Sequence, residues 1–497
     1  LLELSGQLKP SAVFYSNTHP SIRFAYLSIF SISDDENLLF GAAMLSTLNR
    51  APVQKKSLSE TLNRIVIIGG GAGGLELATR LGNHLYKKAQ AQVVLVDRAA
   101  THLWKPLLHE VAAGSMDANA HQLDYIAQAR WHHFEFQQGE LTDLDRARKV
   151  ITVSAVFDDD DAEILPQREL AYDTLILAIG SETNYFGVPG AAENSTAVDT
   201  VAEAERFRRR LLAACMRAQN RLDEQADQQR PHVNIVIIGG GATGVELSAE
   251  LRNTAEVLGA YGLHHLDPRH DIHITLVEAG PRILGPLPER IAKATSALLA
   301  KLDIGILTGE KVTQVQKHAV LTASGKCLPS DLTVWAGGIQ VPKVLADIGL
   351  PVNKLGQVIV SQTLQTIFDP DIFALGDCAS CPWPGKGKSV PPRAQAAHQQ
   401  AKFLYRALNQ RLAKKPLPIF QYHDYGSLVS LGRFETVGNL MGKLTGRSVL
   451  VEGALARLLY VSLYRQHLMS LHGVIRMLFD TLAQWLRRKT TPRVKLH

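Results

Sequence analysis

Short β-branched runs, each followed by glycines and then by apolar positions at helical spacing, occur twice in this chain. Residues 65–68 read as a buried parallel strand, 69–71 as a turn, and 75–81 as the apolar face of a helix. Residues 235–238, 239–241 and 245–251 repeat that order. NRIVIIGGGAGGLELATRL (63–81) and NIVIIGGGATGVELSAEL (234–251) therefore predict two copies of one strand–turn–helix unit. At the far end, Leu468, Leu471, Ile475, Leu478, Phe479, Leu482 and Leu486 recur at helical spacing, and 455–464 is similar. Arg465, Arg476, Arg487, Arg488, Lys489 and Trp485 accompany that stripe, so the pattern predicts an amphipathic helix lying in a membrane surface. Packing against the protein's own core or a second subunit is the rival reading.

Strand, glycine turn and helix are the context in which GxGxxG carries chemical meaning. Gly69 and Gly239 permit the tight turn, Gly71 and Gly241 admit a pyrophosphate, and Gly74 and Gly244 allow helix and strand to pack closely. Ala72 and Gly73 open the first helix, whose free N–H groups favour phosphate. Each copy ends its second strand in an acid, Asp97 and Glu278, placed to accept hydrogen bonds from a ribose. Glu278 would repel a 2′-phosphate and so favours NADH over NADPH, although Arg282 lies nearby.

Two dinucleotide sites in one chain suggest electron traffic between a held flavin and a visiting nicotinamide. The segment FDPDIFALGDCA (368–379) resembles the second flavin motif of the two-dinucleotide-domain flavoproteins. That resemblance places Gly376 and Asp377 at the flavin, Asp377 on its ribityl chain. TLILAIGSETN (174–184), with Ala178 and Gly180, resembles the segment leaving the FAD domain, and TVWAGGI (333–339) the one returning to it. Lys105, after Trp104, is either a flavin contact or a surface lysine.

The acceptor is indicated by VPPRAQAAHQQ (390–400), HLWKPLLHEVAAGSMD (102–117), GDCASCP (376–382), YGSLVSLGRFETVG (425–438) and PRVKLH (492–497). Over roughly 60–497 these resemble the type II, non-proton-pumping NADH:quinone oxidoreductases, particularly the enterobacterial kind. The resemblance implies a peripheral membrane respiratory enzyme that passes two electrons from NADH through FAD to a membrane quinone. It implies Gln395 and Gln399 as quinone-pocket residues, Ala394 and Ala396 as a narrow apolar entrance, and Glu246 as a proton-handling carboxylate. Glu76 holds the matching place in the first copy, and an acid near a helix N-terminus also has an ordinary electrostatic reason to be there. His109 and His398 are candidate proton carriers or merely hydrogen-bonded histidines.

The fold expected is α/β: two Rossmann-like domains for FAD and NAD, plus a C-terminal amphipathic helical anchor. The divisions are 1–58 as an extension, 59–185 and 340–420 for FAD, 186–339 for NADH, and 421–497 for membrane anchoring or dimerisation. Met44 suggests that residues 1–43 are an upstream-extended start or a disordered tail, with a targeting segment as the rival. No run reaches the about 20 apolar residues of a spanning helix. A net charge of +6 is too modest to argue for nucleic acid. The four cysteines are too scattered for a disulfide scaffold. Cys378 and Cys381 form a CxxC that would be the active site of the rival enzyme, a soluble disulfide reductase; their place after Asp377 favours a structural reading. A non-catalytic redox scaffold is the third reading. No metal site is expected. The expected location, inferred from cytosolic NADH, is the cytoplasmic face of a bacterial plasma membrane.

Overall fold

The computed structural model describes residues 62–224, 232–260, 266–432, 436–441, 448–487 and 494. The N-terminal extension and Arg488 and Lys489 of the expected basic cluster lie outside these residues.

Two parallel sheets carry the two glycine turns. The first has five strands in the order Ile372–Ala374, Thr174–Leu177, Asn63–Ile68, Ala91–Asp97, Glu135–Gln138. Helix α1 (Ala72–Lys88) follows its central strand. The second has four strands in the order Ile304–Thr308, Ile272–Glu278, Val233–Ile238, Leu332–Trp335. In both, the strand before the glycines sits between the acid-bearing strand and the strand that leaves the unit. The repeat extends further: each unit carries a three-stranded antiparallel meander, 141–171 in the first and 312–329 in the second. These central strands are buried on both faces, which is why they read as unbroken apolar runs.

The segments expected to leave and return run side by side, Glu182 and Thr183 pairing antiparallel with Gln340 and Ile339. Helix α2 (Leu108–Ala113) packs between α3 (Val201–Glu224) and α4 (Ala242–Ala260), and Thr254 Oγ1 donates to Ala113 O at 2.8 Å. Helix α5 (Ala394–Leu412) lies along α1. The acidic tip at Asp158–Asp161 is an exposed hairpin end, as its composition suggests.

The C-terminal region contains more than helices. A three-stranded antiparallel sheet, Gly426–Ser430, Thr436–Met441 and Ser448–Glu452, precedes helix α6 (Gly453–Arg487). Nor is the stripe on α6 one continuous face. The helix breaks at Gly473, whose φ of 80° and ψ of 172° are not helical. Before the break, Ala456, His467, Leu468 and Leu471 are buried against the body while Leu455, Leu458 and Leu463 are exposed; after it, Val474, Ile475, Leu478, Phe479, Leu482 and Leu486 are exposed. Glycine tolerates that positive φ where another residue would be strained. Among the described residues, no helix is long and apolar enough to cross a membrane.

Candidate functional site

The two turns share one construction. Gly70 N–H donates to Asp97 Oδ2 (2.6 Å) and Gly240 N–H to Glu278 Oε2 (2.7 Å). The other oxygen of each carboxylate takes a second backbone N–H, from Ala99 (2.8 Å) and from Gly280 (2.6 Å). The acids therefore hold the shape of the turn as well as standing at the ends of their strands. Burial raises the Asp97 pKa, against the pull of those N–H bonds. Gly69 (φ +101°) and Gly239 (φ +112°) have backbone that only glycine adopts easily. A Cβ at Gly74 or Gly244 would collide with the carbonyl of Gly69 or Gly239. A Cβ at Gly71 or Gly241 would meet nothing within 4 Å, so both turns present open backbone at their helix N-termini. That is the cradle a pyrophosphate needs. Ala72 begins α1 beside it; Gly73 has a separate packing reason, since its missing Cβ makes room for Leu375.

What braces the turns differs. Gly240 O accepts the backbone N–H of Leu284 (2.7 Å). Gly70 O accepts two side chains, Tyr125 Oη (2.7 Å) and His102 Nδ1 (2.9 Å). His102 Nε2 meets His467 Nε2 of α6 at 3.0 Å, and Trp104 stacks on His467 and Tyr464. Burial pushes His102 down to about 4 and His467 well below its ordinary value, so the pair is uncharged at neutral pH. Gly70, His102 and Trp104 lie inside the motif segments, but Tyr125 and His467 lie in none, and no spacing links the distant partners.

The remaining residues of the first site converge. Ala178, whose N–H donates to Ile68 O, covers Gly69, and Gly180 (φ +72°) turns the chain into Ser181. Ser181 Oγ donates to Asp377 Oδ2 (2.8 Å), and Lys105 Nζ donates to Ser181 O (2.9 Å) and pairs with Asp199 (2.8 Å). Burial raises the Asp377 pKa, opposed by Ser181 and Lys105. Burial pushes Asp199 upward, but Lys105 and the hydrogen bonds from Thr183 together outweigh it and hold Asp199 below its ordinary value. Gly376 (φ +74°) donates its N–H to Gln400 Oε1 (2.7 Å), a buried residue that the sequence motif includes but does not single out.

Gln395 and Gln399 sit on the first turns of α5, and both amides are engaged. Gln395 Nε2 donates to Gly426 O (3.0 Å) while its Oε1 accepts Tyr425 N–H (3.2 Å); Gln399 exchanges the same two bonds with His423 (2.8 and 3.0 Å). Each amide thus imitates a strand partner and stitches 423–426 to the helix.

Glu246 is buried in α4. Ser430 N–H donates to its Oε1 (3.0 Å), and His109 Nδ1 lies 3.7 Å from its Oε2. Desolvation, reinforced by Glu110 and Glu250 and opposed by the Ser430 bond, pushes Glu246 up to about 8. His109 is pushed down to about 4 by burial, so at neutral pH a protonated carboxyl faces a neutral imidazole. Glu76, its counterpart, is fully buried between Arg80 Nε (2.8 Å) and His398 Nδ1 (2.6 Å).

Cys378 and Cys381 are buried and unbonded to each other; burial pushes both thiols up to about 12. Cys378 donates to Leu375 O (3.2 Å). Neither supplies the thiolate that disulfide exchange requires. Arg282 donates to Gly285 O (2.8 Å), within its own loop.

Two parallel sheets with matching glycine turns, joined by paired crossing strands, define an oxidoreductase of the two-dinucleotide class. Residues 63–401 match the pyridine nucleotide-disulphide oxidoreductase family. The chain is 42% identical over 446 residues to a type II NADH:quinone oxidoreductase of Haemophilus influenzae, covering 88% of this chain and all of that protein. It is 27% identical to the type II NADH:quinone oxidoreductase Ndh of Mycobacterium tuberculosis, over 76% of this chain and 80% of that one. The solved NDH2 of Plasmodium falciparum in complex with NADH shares the fold, with a TM-score of 0.73 at 20% identity over 88% of this chain and 99% of that chain. The chain belongs to the pyridine nucleotide-disulphide oxidoreductase family and, within it, to the type II NADH:quinone oxidoreductases.

Proposed function

We propose that this protein oxidises NADH and reduces a membrane quinone to the quinol, with FAD as its resident cofactor, at a membrane surface and without pumping protons. The observation that carries this reading is the full-length likeness to the Haemophilus enzyme in a chain whose two turns are both intact. FAD supplies the two-electron carrier between the substrates. We assign its hold to the first turn (Gly69, Gly71, Ala72, Gly73 and Gly74), to Asp97, Ala178, Gly180, Gly376 and Asp377, and to Lys105. NADH goes to the second turn (Gly239, Gly241 and Gly244) with Glu278. The FAD half is 59–185 with 340–420, the NADH half 186–339, and the anchor 421–497.

Hydride transfer needs placement more than side-chain chemistry, so these residues serve to orient the cofactor and substrate. Gln395 and Gln399 fix the strand that closes the quinone side, and Ala394 and Ala396 leave that side narrow. Reduction of the quinone takes up one proton beyond the hydride. Glu246, neutral at pH 7 beside His109, is the carboxyl we assign to hold it. The exposed face of α6 beyond Gly473 would lie in the lipid surface. We place the enzyme on the cytoplasmic face, where NADH is found; pairing of two copies through the same face is the competing use of those leucines.

The test is anaerobic and spectral. NADH is added to the protein in mild detergent to bleach the flavin colour, followed by a short-chain ubiquinone or, separately, an oxidised dithiol. Recovery at turnover speed with quinone is expected. Recovery with the disulfide alone would overturn the assignment.

A further inference from the structure

A cleft of about 780 Å³ opens between α5, the segment 419–425 and the first half of α6. Its floor includes the edge-to-face rings of Phe403 and Phe420, both buried, with centroids 5.4 Å apart. Ile419 and Leu463 form an exposed apolar rim. On one wall Lys402 and Arg406 stand one helical turn apart, both exposed. Neither forms a hydrogen bond or ion pair with another described residue, and among the described residues no aspartate or glutamate lines the cleft. Two cations without a counter-charge, set above apolar walls, match a ligand that is anionic at one end and apolar at the other.

We propose that this cleft seats the headgroup of an anionic membrane phospholipid. Its phosphate lies between Lys402 and Arg406, and its upper acyl chains lie over Ile419 and Leu463. A lipid fits better than a soluble phosphate ester because the rim itself is apolar, at Ile419 and Leu463, and the same half of α6 also exposes Leu455 and Leu458. Such residues have no work to do around a hydrophilic ligand, whereas an anionic leaflet offers both charges and chains. The inference rests on the membrane reading above and adds to it a particular lipid-binding position on the FAD half, separate from the far end of α6.

The experiment is vesicle flotation of the full-length, FAD-loaded protein, using phosphatidylcholine alone and phosphatidylcholine mixed with phosphatidylglycerol. Wild type is expected to partition more strongly onto the mixed vesicles. K402Q/R406Q should lower that partition by roughly tenfold or more, the size of two near-surface charges, with binding to phosphatidylcholine unchanged. K414Q/K415Q removes equal charge outside the cleft and should have a much smaller effect. Flavin content and NADH oxidation by a soluble dye serve as folding controls. An unchanged partition of K402Q/R406Q, or a loss matched by K414Q/K415Q, overturns the cleft while leaving membrane attachment standing. So does a raised KM for short-chain quinone with partition intact, which would make the cleft a quinone passage. If wild type floats with neither vesicle, the membrane reading itself fails, and the cleft with it.

Discussion

The two halves of this protein begin with nearly the same peptide, yet their equivalent glutamates have opposite surroundings. Glu76 is clasped by Arg80 and His398, whereas Glu246 has one backbone N–H, a neutral histidine and two nearby carboxylates. A buried charge persists only when paired, and an unpaired one is removed by taking a proton. The same residue type at the same place in the repeat is thus tied to two basic side chains in one half and is a protonated acid in the other. The bracing differs in the same sense. The first turn is pinned by Tyr125 and His102 from elsewhere in the chain, the second by the adjacent backbone of Leu284. A resident cofactor suits the first arrangement and a visiting one the second.

The sharpest way to break the comparison is to spoil one turn at a time. G74A places a Cβ against Gly69 O, and G244A does the same at Gly239 O. G74A should leave protein lacking flavin. G244A should keep its flavin but lose NADH oxidation by about a hundredfold or more, since misplacement alone costs that much. Absorbance of the purified protein and stopped-flow bleaching read the two outcomes. Loss of flavin from both would show that the halves are not independent.

Next come the glutamates. E76A leaves Arg80 and His398 without their shared anion; discounted for their partial exposure, this should cost about 2–3 kcal/mol in thermal unfolding. E246Q should lower quinone turnover by about tenfold or more while barely affecting dye reduction. A folded pKa of about 8 lies above the ordinary 4.5, so the folded state binds the extra proton between those values and wild-type stability falls as pH rises through that window. E246Q should remove that slope, and with it the activity loss above about pH 8. A slope that survives the substitution would assign the titration elsewhere. The smallest effect belongs to C378S/C381S, for which quinone turnover should stay within about twofold and stability fall by about 1 kcal/mol.

Much of this was legible in the pattern. The repeat and the strand ends at Asp97 and Glu278 follow from period and motif, and the family resemblance marks the segments that leave and return, though not that 182–183 pairs with 339–340. What was hidden depends on contacts between distant segments. Nothing local tells that Gln395 and Gln399 spend their amides on 423–426, or that His102 meets His467. The break in α6 had a signal, a glycine between Leu471 and Ile475, but spacing alone joined the two faces into one stripe.

The histidine contact carries a further consequence. Gly70 O can only accept, so His102 must carry its proton on Nδ1 and present a bare Nε2; His467 must then be the donor. Direction is thereby fixed along a line from the last helix to the first turn. Cutting the chain before α6 would therefore do more than free an enzyme from its membrane. It would leave a buried lone pair on His102 and loosen the turn we assign to the flavin, so a truncated enzyme found inactive in solution would be evidence about folding before it was evidence about lipid.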